Sequence, residues 1–203
     1  MQTIAALVIL LLLHSGCATL FGWNIHAPGV LSRQFAENVQ PEKTRVALYI
    51  PKDVQTYRSK NRGGRFADPQ VYYIGEAMTP MLIEGFQDGF EEFILMEAEP
   101  TPDVLRQYGI PYLAVVGIKD FNNRVTMKGQ AVELVTETVV YDTDLHPVAR
   151  FESRGASDAR KVFAKKGGPE VNLNSAIEQT IYAIVMYLQD GLKSGSLKSG
   201  VMS

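Results

Sequence analysis

The chain has 203 residues, 20 basic and 22 acidic side chains, a formal charge of -2 and 46% hydrophobic residues, enough for one domain with a substantial core and short for two. A near-neutral balance offers no electrostatic footprint for nucleic acid, which excludes it as a serious partner. The only cysteine is Cys17, so no intramolecular disulfide can form and the fold must rest on packing.

An uncharged start, Met1, Gln2 and Thr3, leads into an apolar run from Ile4 to Leu13 and then Ser15, Gly16 and Cys17. About ten apolar residues fall short of the roughly twenty that span a bilayer, but they fit the apolar stretch of a secretory signal. Small residues directly before a lone cysteine resemble the lipobox of bacterial lipoproteins, with His14 standing where Leu is usual. The resemblance implies removal of residues 1–16, diacylation of Cys17 and attachment to a membrane through that residue. By the sorting rule of enteric bacteria, Ala18 rather than Asp in the next place implies the outer membrane, facing the periplasm.

Residues 17–44 contain Gly22, Pro28, Gly29 and Trp23 without a sustained period and read as a tether. Leu20, Phe21 and Trp23 either sit at the lipid interface, where aromatic side chains are favoured, or dock back on the domain. Val46 to Ile50 predicts a core strand, ended by Pro51. The polar loop that follows carries Arg58, Lys60, Arg62 and Arg65 with Gly63 and Gly64, the most basic stretch of the chain. These four cations are the candidate contact to a partner or anion; the alternative is a solvated loop.

Ile74, Met78, Met81, Leu82, Gly85 and Phe86 recur at helical spacing and predict an amphipathic helix, either capped by Thr79 with Pro80 first, or starting near Gly75 and kinked at Pro80. Phe93 to Met96 predicts a short strand, and a short helix follows Pro102 and ends at Gly109. Tyr112 to Ile118 is nearly continuous in apolar residues and predicts a central strand. Residues 131–141 alternate, with Val132, Leu134, Thr136, Thr138 and Val140 on one face; Asp142 to Asp144 supplies a turn into a strand from Pro147 to Ser153. Leu173, Ile177, Ile181, Ile184, Val185 and Leu188 predict a C-terminal helix, with Ser175 and Glu178 as a capping box and Gly191 at its end. Residues 193–203 read as a flexible tail.

Together these elements predict an α/β (α+β) domain over residues 45–192. It holds a single mixed sheet of about five strands, with a long helix after the first strand and the C-terminal helix packed on one face.

Catalytic motifs are missing from this pattern. His14 belongs to the signal, His26 to the tether and His146 to a turn, so the histidines supply neither a zinc set nor a base for a serine nucleophile, and no Gly-x-Ser-x-Gly elbow occurs. Asp142 and Asp144 lack the glycine and distal Glu of a calcium loop. Glu91 and Glu92 are neighbours that do not face each other across a substrate. The reading is of a protein without enzymatic activity, cofactor or metal.

The order of elements, carried by Val46 to Ile50, Gly75 to Phe90 and Tyr112 to Ile118, resembles the small α/β domain of the TolB N-terminal, CsgG and LpoB families. That resemblance implies a lipid-tethered protein that binds other envelope proteins in the periplasm. A second reading makes the domain a lipid-handling accessory of an envelope transport system, with Met78, Met81, Phe86 and Phe90 lining an apolar groove.

Overall fold

The computed structural model describes residues 23–61, 69–126, 129–157 and 168–197. In chain order these form β1 (Trp23–Ile25), α1 (Arg33–Asn38), β2 (Val46–Tyr49), α2 (Lys52–Gln55), β3 (Ser59–Asn61), β4 (Gln70–Tyr72), α3 (Ile74–Gly89), β5 (Phe93–Met96), α4 (Pro102–Gln107), β6 (Tyr112–Thr126), β7 (Gly129–Tyr141), β8 (Pro147–Ala156) and α5 (Pro169–Ser194).

The apolar and alternating stretches become one five-stranded sheet in the order β5-β2-β6-β7-β8. β2 runs parallel to both neighbours, with Val46 opposite Phe93 on one side and Tyr112 on the other. Parallel pairing requires crossovers, and α3 and α4 supply them. β6, β7 and β8 then form an antiparallel meander. The β6–β7 hairpin runs well past the predicted end at Ile118, with a register shift between Ile118 and Asp120, so Asn122 and Asn123 lie within a strand rather than in a connection.

The helical stripes set the layers. Met78, Met81, Leu82 and Phe86 of α3 join Leu173, Ile177, Ile181 and Val185 of α5 in one cluster with Val46, Leu48, Ala114, Val116 and Leu134 of the sheet. Removing a side chain of the size of Phe86 from water stabilises by about 1.5–3 kcal/mol. The two helices meet at small residues: a Cβ at Gly85 or Gly89 would lie 2.6 Å from Ile181 Cγ2 or Val185 Cγ1. Leu105 and Ile110 cover part of the opposite sheet face over Ala47 and Leu113.

α3 starts at Ile74 and runs through Pro80, which selects the longer of the two predicted helices. α5 begins at Pro169 with Gly168 as its N-cap, so the proposed capping box is corrected: Ser175 and Glu178 lie inside the helix. Proline suits that first position because its missing N–H would have no helical partner. The helix passes Gly191 and stops at Gly195, which takes the left-handed φ of 67° that ends many helices. Leu197 is 4% exposed, and its carbonyl accepts the Tyr112 hydroxyl at 2.6 Å, so the chain up to Leu197 is packed rather than a free tail.

Two further expectations are revised. The domain contains a second sheet, ordered β1-β4-β3, whose three-residue strands are too short to show a period. Tyr72 and Gln70 of β4 fasten it to the main body: the Tyr72 hydroxyl donates to Gln70 Oε1 at 2.8 Å, Asn123 Nδ2 donates to the same oxygen at 2.9 Å, and Gln130 Nε2 donates to the Tyr72 oxygen.

The segment read as a tether is, from Trp23 onward, a strap laid across α3 and α5; of the residues weighed between the lipid interface and the domain, Leu20 and Phe21 lie outside the described residues and Trp23 is half exposed. Ile25, Phe35 and Val39 are at most 3% exposed, and side chains of the two long helices hold the strap's backbone. Gly29 N donates to Asn174 Oδ1 at 3.0 Å, Leu31 N to Glu84 Oε2 at 3.3 Å and Ser32 N to Glu178 Oε2 at 3.1 Å. Gln189 Nε2 donates to Gln40 O at 2.9 Å.

Candidate functional site

The small sheet carries the predicted contact residues that the structure describes. Arg58 directly precedes β3, and Lys60 is the exposed centre of that strand, opposite Val71 of β4. Among the described strands β3 is an edge, which combines the two surfaces expected to receive a partner, a basic stretch and a strand that another strand can extend. Arg62 and Arg65, like Cys17, lie outside the described residues.

Arg58 is not an unpaired cation. Its guanidinium lies 4.6 Å from the centroid of the Tyr73 ring, a cation–π distance. The His26 ring stacks on Tyr73 with centroids 4.1 Å apart. Glu76, in the first turn of α3, reaches both neighbours of the Tyr73 ring: His26 Nδ1 at 3.0 Å and Arg58 at 3.8 Å. These side chains are about half exposed, so each pair contributes on the order of 1 kcal/mol or less. Glu76 offsets the charge of Arg58, leaving Lys60 to dominate the edge among the described residues. Trp23, 49% exposed, opens β1 in the same sheet.

His26 and Tyr73 belong to this site and were missed by the sequence reading. His26 sits in an aperiodic segment, and nothing local pairs it with a tyrosine just before α3.

Other candidate groups have structural work. Asp142 Oδ1 accepts Asp144 N and His146 N, each at 2.9 Å, which builds the turn before β8, and Asp144 pairs with Arg106 at 2.5 Å. Glu92 pairs with Arg45 at 2.5 Å. Among the described residues no group of three or more His, Cys, Asp or Glu side chains is placed to hold a metal ion. Met78, Met81, Phe86 and Phe90, expected to line a lipid groove in the second reading, are 0 to 2% exposed. They are closed core, because α5 and the strap cover the stripe of α3.

No family model matches the sequence, and no curated protein matches it. Solved structures do. A Xanthomonas campestris protein of the DUF330 family aligns with a TM-score of 0.53 at 8% identity, over 87% of this chain and 96% of its own; at that level the two share a fold. A hypothetical protein of Chlamydia trachomatis aligns at 0.45 with 8% identity, over 78% and 100%. A lipoprotein of Neisseria meningitidis aligns at 0.35 with 6% identity, over 74% and 99%. No helix among the described residues is long and apolar enough to cross a membrane.

Proposed function

We propose that this protein is a bacterial envelope lipoprotein, anchored through Cys17 in the outer membrane, that acts without catalysis as an adaptor for another envelope protein in the periplasm. The observation that carries the reading is where the strap begins. Trp23 is already hydrogen-bonded into the small sheet, its N–H donating to Pro69 O at 2.8 Å. Six residues from Cys17 to Trp23 extend at most about 20 Å, so an anchored domain is held against the bilayer rather than sent across the periplasm on a long leash. The sheet carrying Trp23, Arg58 and Lys60 is then the membrane-proximal part of the molecule, and the partner it serves is one that presents a strand or an acidic surface close to the membrane. The closed packing of Met78, Met81, Phe86 and Phe90 removes the groove on which a lipid-handling role rested.

The experiment is copurification from mild-detergent membranes, comparing the wild-type chain with Cys17→Ala and with Arg58→Glu/Lys60→Glu. A diacylated N-terminus and a near-stoichiometric envelope partner, lost in both variants, are the expected results. An unmodified N-terminus overturns the anchor, and a partner retained undiminished by the charge-reversed protein removes the β3 edge from the interface.

A further inference from the structure

A cleft of about 650 Å³ lies between the strap and the N-terminal half of α5, within the size range of small-ligand sites, roughly 300–1,000 Å³. It exists because the strap docks: Pro28, Val30 and Ser32 with α1 form one wall, and α5 from Val171 to Tyr182 forms the other. Among the described residues no Lys or Arg lines it, and its one carboxylate, Glu178, is already engaged by both the amide and the hydroxyl of Ser32. A phosphate or carboxylate ligand would find no cation among these residues, and an acyl chain would meet too many amides.

The lining offers neutral hydrogen-bonding groups beside apolar ones. Gln34 and Asn38 project from α1 and Ser175 from α5; Asn174, by contrast, spends its amide on Gly29 and Val30 and is framework. Side-chain amides both donate and accept, as the hydroxyl and acetamido groups of a sugar do. Tyr182 is 37% exposed, fixed edge-on against Phe35 with centroids 5.9 Å apart, and so presents a rigid aromatic ring. Val30 and Val171, 55% and 38% exposed, offer contacts for methyl groups.

We infer that this cleft binds a neutral N-acetylated oligosaccharide, with Gln34, Asn38 and Ser175 as its polar contacts and Tyr182 as its stacking platform. The inference does not depend on Cys17 or on the β3 edge. Its test is titration of the detergent-solubilised mature chain with chitotetraose, read by saturation-transfer NMR and calorimetry. Saturable binding is expected, weakened about tenfold or more in Gln34→Ala/Asn38→Ala and in Tyr182→Ala but retained in Tyr182→Phe. The Gln34 and Asn38 side chains are exposed and make no hydrogen bond to any described residue, so that double variant keeps the wild-type melting temperature. Absence of chitotetraose binding to the wild type, or binding undiminished in the double variant, overturns the assignment.

Discussion

Glu178, in the middle of the C-terminal helix, grips Ser32, 146 positions earlier in the chain: its Oε2 accepts the Ser32 amide at 3.1 Å and its Oε1 the Ser32 hydroxyl at 2.5 Å. The same hydroxyl accepts Phe35 N and so caps α1. One carboxylate therefore fixes the start of α1, the placement of buried Phe35 and one wall of the cleft.

Replacing Glu178 with Ala should cost about 1–2 kcal/mol, the range for hydrogen bonds to a charged acceptor discounted for partial exposure. Amide exchange should accelerate over residues 29–39 while β6 and the middle of α3 stay protected. Unchanged exchange in the strap would mean that Phe35 and Val39 hold it without the polar contacts.

The contrast between that carboxylate and the core stripes shows what the sequence could convey. Val46 to Tyr49, the stripe of α3 and the alternation of β7 were legible because burial of one face imposes a period, and these elements are long enough to display it. The strap was illegible because its fasteners, Asn174, Glu84, Glu178 and Gln189, are polar residues on helices and read as a solvated face. Ser175 and Glu178 even match a local capping signal that Pro169 and Gly168 override. At the site, Arg58 and Lys60 stood out by charge, whereas His26, Tyr73 and Glu76 are united only by long-range packing of a strand and a helix start.

Pro80 should prove a defect rather than a device. It sits in the interior of α3, exposed, where its missing N–H forfeits the bond to the carbonyl of Glu76. Its ring lies close to Gly29 of the strap, which gives back part of the cost. Pro80→Ala is expected to raise stability by about 1 kcal/mol in urea unfolding; a loss of stability would show that the ring's contact with the strap outweighs the helical bond.

Gly155 marks a close approach of sheet and helix. A Cβ there would lie 1.9 Å from the carbonyl oxygen of Ala176 and 2.4 Å from Thr180 Oγ1, so Gly155→Ala must drive β8 away from α5. A cost of about 3 kcal/mol or more is expected, a fall in Tm of roughly 6–12 °C for a chain of this size. Gly117 has only one atom near its Cβ position, 3.7 Å away, and Gly117→Ala should be far milder, which makes it the control.

Tyr72 gives the fold an alkaline limit. Burial holds its phenol protonated well above the ordinary tyrosine range; the hydrogen bond from Gln130 works against that shift, and the charge of Glu170 works with it. Because the folded state keeps the proton that an unfolded tyrosine releases near pH 10, the contribution is fully present below about pH 10 and is lost as pH rises beyond it. Stability measured from pH 8 to 11.5 should therefore bend downward above about pH 10. Tyr72→Phe should be less stable at neutral pH, because Gln130 and Gln70 lose a partner in a buried cluster, but its profile should lack the tyrosine component of that bend. An equal downward slope in both proteins would assign the alkaline loss to other groups and deny Tyr72 this role.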